Sequence, residues 1–284
     1  MSDDERGYVL VTGASTGIGF TTAMRLDAIG YRVFAGVRRD EDGANIKRGA
    51  SLRLQPILLD VTNDEQVKSA IATISETVGD HGLAGLVNNA GIAVAGPMEF
   101  IPMERFIQQF DVNVFGVMRV TQACIPLIRK AKGRIVNISS IAGLSASPVV
   151  GPYTASKHAL EAMTDALRVE LYKWGIHVSA VEPGAIKTPI WDKGARDSDD
   201  LEKQMPPEAM DLYGSMVRAM RDIVETYASN STPPERVTDA VVHALTANPP
   251  RPRYLVGNDA RIRLWLEKLP TRYRDSIVRK RLGC

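Results

Sequence analysis

The sequence alternates between short apolar runs and longer stretches with apolar residues at helical spacing, and this alternation restricts the fold more than any other feature. Six runs have the length and near-continuous hydrophobicity of strands buried on both faces of a parallel sheet. These predicted strands cover residues 8–11, 32–37, 52–59, 83–87, 134–138 and 176–181. Between them, helical spacing predicts helices over residues 18–29, 67–78, 103–130 and 153–174. Repeated strand–helix alternation favours right-handed βαβ units. We therefore predict a doubly wound α/β sheet with helices on both faces.

Local signals support single elements of this prediction. Residues 62–65 read Thr-Asn-Asp-Glu just before the second helix, which fits a capping box. No low-complexity linker or solenoid repeat interrupts the alternation, so we predict one domain over residues 1–284.

The segment from about residue 188 to 230 breaks the alternation. Leu212, Met216, Met220 and Ile223 recur at helical spacing, which favours a helical insertion over the carboxyl edge of the sheet. A disordered connector is the alternative interpretation.

Charge and cysteine content narrow the function classes. The net charge of +2 over 284 residues is too near neutral for nucleic-acid binding by the whole chain. Cys124 and Cys284 lie too far apart for a disulfide framework or a metal motif, and the four histidines are scattered, so no metal site is expected. The acidic start of the chain does not resemble a signal peptide. We expect a cytoplasmic protein.

A glycine-rich turn follows the first predicted strand. Gly13, Gly17 and Gly19 precede the first helix in the stretch TGASTGIG, at 12–19. Glycines there let the chain turn tightly and let a pyrophosphate approach the backbone at the helix N-terminus. The position indicates a nucleotide site, although such a turn can also be only a turn.

Two further groups of polar residues follow predicted strands. Residues 88–91 read NNAG and could wall an adenosine pocket, or form a plain polar turn. Ser140 follows the fifth strand, and Tyr153 and Lys157 lie four residues apart on one helix face. A tyrosine that works near neutral pH needs its pKa lowered by ~3 units, and an ammonium at ~4 Å supplies energy of that order. Taken singly, each residue is also a common surface or capping residue.

In combination, these motifs resemble the short-chain dehydrogenase/reductase family. They occur in the family's order: TGASTGIG, Asp60-Val61, NNAG, Asn113, Ser140, YTASK at 153–157 and PGAIKT at 183–188. The resemblance implies a single-domain Rossmann fold and an oxidoreductase that acts on CH–OH groups. The chain's longer C-terminal half is similar to the hydroxysteroid and retinol dehydrogenase side of the family.

The resemblance also implies catalytic roles. Tyr153 corresponds to the proton donor or acceptor, and Lys157 to the residue that lowers its pKa and binds the nicotinamide ribose. Ser140 corresponds to the group that holds the substrate oxygen. Asn113 corresponds to the support of a proton relay through water.

The same resemblance implies a set of cofactor-binding residues along the carboxyl edge of the sheet. Besides Tyr153 and Lys157, the set consists of Gly13, Ser15, Thr16, Gly17, Ile18, Gly19, Arg38, Asp60, Val61, Asn89, Ala90, Gly91, Pro183, Gly184, Ile186 and Thr188.

Charge at the end of the second strand bears on the choice of cofactor. Members that prefer NAD carry an acidic residue there for the ribose 2′-hydroxyl. This chain has Val37 followed by Arg38 and Arg39, which favours NADP(H) over NAD(H). Thr16 in the glycine turn argues the other way, because many NADP-preferring relatives carry a basic residue there.

The loops expected around the substrate are mainly apolar and predict a lipophilic alcohol or ketone as the small-molecule substrate. The apolar residues are Ile92, Val94, Leu144, Val149, Val150, Ile190, Trp191 and Met205. No arginine or lysine is obviously placed to bind an acidic substrate group.

Residues 251–284 form a basic C-terminal extension, with eight arginines and two lysines against three acidic residues, a net charge of +7. Ile262, Leu264, Trp265 and Leu266 interleave with this charge. The pattern is typical of an amphipathic helix, which either covers the domain or makes weak contact with a membrane surface.

Two further expectations follow from the resemblance. Family members pair through the helices that carry Asn113 and Tyr153, so we expect a homodimer or homotetramer. The alternative to an enzyme is a catalytically silent nucleotide sensor or scaffold with the same fold, which would not need Ser140 and Tyr153.

Overall fold

The computed structural model describes residues 6–229 and 231–283, and for residues 190–196 it describes the backbone alone. Seven parallel strands form one sheet in the order β3-β2-β1-β4-β5-β6-β7. The strands are β1 Tyr8–Val11, β2 Arg32–Val37, β3 Leu54–Leu58, β4 Gly85–Asn88, β5 Arg134–Ile138, β6 His177–Pro183 and β7 Arg253–Val256. The order reverses between β1 and β4, which opens the crevice where such sheets bind ligands. The predicted doubly wound fold is confirmed.

Helices cover both faces of the sheet. They are α1 Gly17–Ala28, α2 Asp40–Lys47, α3 Asp64–Val78, α4 Met103–Phe110, α5 Gly116–Ala131, α6 Gly151–Glu170, α7 Ile190–Gln204, α8 Pro207–Ser229, α9 Pro234–Thr246, α10 Asn258–Leu266 and α11 Thr271–Leu282. Alternate residues of β1 enter opposite cores: Val9 and Val11 pack with α1, α2 and α9, and Leu10 packs with α3, α5 and α6. Strands buried on both faces explain why their runs are continuously apolar.

The edge strand β3 departs from the prediction of a strand buried on both faces over residues 52–59. Leu52 is fully exposed and lies outside the strand, and Leu58 is 43% exposed at its end. The reason is that β3 has a strand neighbour on one side only. At the opposite edge, β7 is a seventh strand that the sequence analysis did not predict. It lies within the basic extension, followed by two helices rather than one.

The predicted helix over residues 103–130 is interrupted. Residues Asp111–Phe115 form a π-helical segment between α4 and α5, and the Gly116 N–H bonds to the Asp111 carbonyl. The N-cap of α3 is Asn63 rather than Thr62, because the Asn63 side chain accepts a hydrogen bond from the Gln66 N–H at 3.0 Å. The N-cap of α3 therefore lies one residue later than the capping box predicts.

The segment around residues 188–230 is helical over α7 and α8, as predicted, and not an irregular connector. A Cβ on Gly96, in the loop after β4, would lie 2.9 Å from the Met205 methyl carbon. The junction of α7 and α8 therefore packs on a loop at the carboxyl edge of the sheet.

Among the described residues, no helix combines the length and the apolarity needed to cross a membrane.

Candidate active site

The glycine turn between β1 and α1 takes the form that an anion site requires. Gly13 and Gly17 have φ angles of +64° and +58°, which favour glycine. A Cβ on Gly19 would collide with the Gly13 carbonyl and the Asn89 side chain. No acidic residue lies in the first turn of α1, so its N-terminal N–H groups face the crevice without a competing carboxylate. The turn thus fits a pyrophosphate group.

Thr12 joins this turn to the NNAG segment, and the sequence analysis did not single it out as a site residue. Its hydroxyl oxygen accepts hydrogen bonds from the Asn89 and Ala90 N–H groups, both at 3.0 Å. In return, Asn89 Nδ2 donates to the carbonyls of Thr12 and Gly13, both at 3.0 Å. The ends of β1 and β4 are therefore locked together, and the NNAG segment is a structural partner of the glycine turn.

The ends of β2 and β3 lie on the adenine side of the crevice. Val37 is buried at the end of β2, and Arg38 and Arg39 are exposed beyond it. Arg39 pairs with Asp42 at 3.1 Å, whereas Arg38 has no ion pair within the part of the chain that the structure describes. Asp60 accepts hydrogen bonds from the Thr62 N–H and hydroxyl, at 2.9 and 2.7 Å.

Asn113 is buried in the π-helical segment. Its Oδ1 accepts from the Ile92 N–H at 2.9 Å, and its Nδ2 donates to the Ile92 carbonyl at 3.0 Å and to Ser156 Oγ at 3.2 Å. The side chain thus fixes the loop after NNAG to α6. One turn earlier, Gln109 fixes the same loop to α4, because it donates to the Ile92 carbonyl and accepts from the Val94 N–H.

Ser140, Tyr153 and Lys157 meet at the end of β5. Ser140 is 8% exposed, and its hydroxyl oxygen accepts from the Ala142 N–H at 3.1 Å and lies 3.4 Å from the Pro183 carbonyl. The Ser140 hydroxyl also acts on Tyr153, as one of the groups that lower the pKa of the tyrosine. Lys157 Nζ donates to the Ile138 carbonyl at 2.8 Å and lies 5.8 Å from the centre of the Tyr153 ring.

The pKa of the Tyr153 hydroxyl is governed first by its burial. Burial raises the pKa of the Tyr153 hydroxyl, and the hydrogen bond from Ser140 and the charge of Arg263 only partly oppose this. Burial also lowers the pKa of Lys157 to about 8, against the negative charge of Glu161. The lysine is thus held by a carbonyl and is itself desolvated, and the lowering of the tyrosine pKa by Lys157 stays a prediction from the resemblance.

The segment from Pro183 to Thr188 closes the other side of the crevice. The Gly184 N–H donates to the Val256 carbonyl at 2.8 Å, and the Ala185 N–H donates to Asp259 Oδ2 at 2.7 Å. A Cβ on Gly17 would lie 3.2 Å from the Thr188 side chain, so this segment touches the glycine turn. Asp259 lies 74 residues along the chain from Ala185, and no local signal could have identified it.

The structure brings together most of the residues that the resemblance pointed to. The glycine turn, Asn89, Ser140, Tyr153, Lys157 and Thr188 line one crevice across the carboxyl ends of β1, β4, β5 and β6. Arg38 and Asp60 lie at its far end, after β2 and β3. Asn113 is set back from the crevice and contacts it through Ile92.

The apolar loops converge on the same crevice. Val94 and Val149 are buried, and the Gly96 N–H donates to the Val149 carbonyl at 2.6 Å. Val149 has a φ of +66°, a strained conformation for a β-branched residue, and such strain is concentrated at functional sites. The side chains of Ile190 and Trp191, also predicted here, lie outside the described residues.

Comparison with known proteins identifies the family. The family model for short chain dehydrogenases matches residues 7–199. Retinol dehydrogenase 7 of Rattus norvegicus is 39% identical over 281 residues, covering 95% of this chain and 87% of that protein. The 17-beta-hydroxysteroid dehydrogenase type 6 of Bos taurus is 40% identical over 277 residues, with the same coverages.

Solved structures agree with these relatives. A short-chain dehydrogenase from Streptomyces avermitilis superposes with a TM-score of 0.77 at 28% identity, covering 99% of this chain and 96% of that one. A short chain dehydrogenase from Burkholderia cenocepacia in complex with NADP has a TM-score of 0.73 at 25% identity, covering 98% and 99%. The chain therefore belongs to the short-chain dehydrogenase family and is an NAD(P)-dependent oxidoreductase acting on CH–OH groups.

Proposed function

We propose that this enzyme uses NADP(H) to transfer a hydride to or from a carbonyl or secondary alcohol of a mainly apolar substrate. The observation that carries the proposal is the convergence of Ser140, Tyr153 and Lys157 beside the glycine turn. When bound, the nicotinamide supplies or accepts the hydride.

Ser140 and Tyr153 hold the substrate oxygen between two hydroxyl donors. Because its pKa is raised, Tyr153 keeps its proton at neutral pH and can donate it to a carbonyl oxygen as negative charge develops there. Ser140 is oriented by the Ala142 N–H and stabilises the same oxygen. Lys157, fixed by the Ile138 carbonyl, holds a positive charge below the tyrosine and binds the nicotinamide ribose.

Arg38 supports the choice of NADP(H). Arg39 is held by Asp42, whereas Arg38 extends from the end of β2 without an ion pair among the described residues. A guanidinium suits a 2′-phosphate, and the end of β2 carries Val37 where a carboxylate would bind a 2′-hydroxyl. The NADP complex of the Burkholderia cenocepacia relative points the same way.

The apolar loops support the choice of substrate. Val94 and Val149 are buried beside the catalytic residues, and Met205 packs over Gly96. Relatives named retinol dehydrogenase and hydroxysteroid dehydrogenase suggest a substrate of comparable bulk and apolarity.

Tyr153→Phe tests the chemistry with a panel of ketones graded from small and polar to steroid-sized. We expect turnover of bulky apolar ketones by the wild type with NADPH, and a loss of about 10²- to 10⁴-fold in the variant, because the proton donor is removed. The variant should still bind NADPH, as measured by the fluorescence of the cofactor. Tyr172→Phe is the matched control, since Tyr172 is 73% exposed in the short helical turn that follows α6. Full activity of Tyr153→Phe would contradict the proposal. NADPH binding without any turnover by the wild type would favour the silent sensor.

Arg38→Met tests the cofactor choice, with Arg39→Met as the control. We expect the KM for NADPH to rise about 10-fold or more in Arg38→Met while the KM for NADH changes little, because a charge-assisted contact contributes ~1.5–3 kcal/mol. Equal KM values for the two cofactors in the wild type would argue against NADP(H).

Pairing and location complete the proposal. Ile107 and Phe115 are 58% and 55% exposed beside the helices expected to pair, and Val169 is 73% exposed on α6. These exposed apolar side chains support a homodimer or homotetramer, which light scattering would test. The cytoplasmic location stays a prediction that cell fractionation would test.

A further inference from the structure

Helix α10 connects two loops that bound the substrate side of the crevice. Through Asp259 it holds the Ala185 N–H at 2.7 Å. One turn later, Arg263 Nη2 donates to the Ser145 carbonyl at 2.7 Å and to Ser147 Oγ at 2.9 Å. Ser145 and Ser147 belong to the loop that follows Ser140. The basic extension therefore places a guanidinium at the catalytic residues.

The charge of Arg263 is poorly compensated inside the protein. Arg263 is half-buried, and burial lowers the pKa of its guanidinium. The two nearby carboxylates are bound elsewhere: Asp259 accepts from Ala185, and Glu267 pairs with Arg274 at 2.7 Å. The other nearby ionisable groups are the hydroxyls of Tyr153 and Tyr227.

The hydrogen bonds that the structure describes for Arg263 use only one of the three nitrogen atoms of its guanidinium group. Both bonds of Arg263 come from Nη2, and among the described residues Nε and Nη1 have no hydrogen-bond partner. Neither donor is among the fully buried polar atoms without a partner, so both are open to solvent and to an anionic group that enters the crevice. Arginine's planar donors match a carboxylate, which can accept two parallel hydrogen bonds.

We propose that Arg263 is a substrate-recognition residue that binds a carboxylate carried by an otherwise apolar oxo or hydroxy substrate. This inference rests on the proposed function and narrows it, since a guanidinium beside apolar loops selects an amphiphilic acid. It also reverses the expectation from sequence that no arginine is placed to bind an acidic group.

The test compares carboxylates with their neutral esters. The probes are 2-oxododecanoate and 4-oxododecanoate with their methyl esters, reduced with NADPH by the wild type, Arg263→Met and Arg261→Met. Arg261 is exposed on the same helix, so its variant is the control for loss of one positive charge. We expect the wild type to favour at least one acid over its ester by about 10- to 100-fold in kcat/KM, the range of hydrogen bonds to charged groups. Arg263→Met should abolish that preference, mainly through KM, and Arg261→Met should keep it.

Other outcomes would overturn the inference. Equal kcat/KM values for acids and esters in the wild type would do so while leaving the proposed function intact. If Arg263→Met lowers kcat/KM equally for acids and esters and also shifts the pH profile, then Arg263 acts on the pKa of Tyr153 and not on the substrate.

A binding measurement separates this inference from the proposed function. Calorimetry with the NADPH-bound Tyr153→Phe variant, with and without Arg263→Met, measures the affinity for each acid and ester without turnover. Selective binding of an acid that depends on Arg263 would support the inference even if the wild type reduced none of the probes. Failure of the wild type to reduce any ketone of the graded panel would count against the proposed function alone.

Discussion

Glu182, the residue before Pro183 in the cofactor segment, should make the enzyme less stable at alkaline pH. It is 2% exposed at the end of β6 and lies near the carboxylates of Glu161 and Asp165. Arg253 of β7 faces all three carboxylates, at 3.0 Å from Glu182, 3.2 Å from Glu161 and 2.8 Å from Asp165. Arg168 also pairs with Asp165, at 2.7 Å, so two guanidinium groups face three carboxylates and the negative charge is only partly neutralised. The pKa of Glu182 is raised to about 7. Burial is the larger cause, and the negative charge of Glu161 is the second.

The sign of the effect follows from linkage. A carboxyl group whose pKa is raised by folding binds its proton more tightly in the folded state. Its contribution is fully favourable below the unfolded pKa, near 4.5, and is lost as the pH rises through the folded pKa of about 7. At ~1.4 kcal/mol per pKa unit, the loss in free energy of unfolding between about pH 5 and about pH 8 is ~2 kcal/mol.

The perturbation is Glu182→Gln, which keeps the shape and removes the charge. Any change in packing or hydrogen bonding shifts the variant's stability by a similar amount at both pH values. The loss of the titration makes the variant more stable, relative to the wild type, at about pH 8 than at about pH 5, by ~2 kcal/mol. For a protein of this size, that corresponds to a relative change in Tm of roughly 3 °C.

Urea denaturation at several pH values measures this difference directly. Glu170→Gln is the matched control, because Glu170 is exposed at the end of α6 and should show no such dependence. If the stability of Glu182→Gln parallels that of the wild type across the whole pH range, then Glu182 does not titrate as its burial requires, and the reasoning is refuted.

Three further predictions concern the crevice itself. Thr12→Val should lower the free energy of unfolding, measured by urea denaturation, by about 2–4 kcal/mol, because two backbone N–H groups lose their acceptor. A change below ~0.5 kcal/mol would contradict the predicted contribution of these bonds. Asp259→Ala should raise the Kd for NADPH several-fold in a fluorescence titration, because the Ala185 N–H loses its acceptor and the cofactor segment loosens; an unchanged Kd would mean that β7 alone positions the segment. The kcat/KM for ketone reduction should fall above about pH 8, where Lys157 loses its proton in the free enzyme. A kcat/KM that does not fall even at a pH two units higher would show that the charge on Lys157 is dispensable.

The parts of the fold that could be predicted from sequence are those whose signal is local. Strands buried on both faces, such as β1 and β5, appear as continuous apolar runs because both sides of each strand meet a core. The edge strand β3 and the late strand β7 lack that signal, since their burial depends on which strand lies beside them. The π-helical turn at Asn113 was hidden for a similar reason, because it differs from an α-helix by one residue in its hydrogen bonding rather than in its apolar pattern.

Local sequence specifies the glycine turn, the tyrosine–lysine spacing and the alternation of elements, because turn chemistry and helical periodicity act over a few residues. Which distant residues complete the site depends on how the chain folds. Thr12 and Asn89 meet across 77 residues, and Arg263 reaches the Ser145 carbonyl across 118. Burial, too, is a property of the assembled fold. It raises the pKa of Tyr153, because the free energy of desolvation depends on everything packed around the hydroxyl.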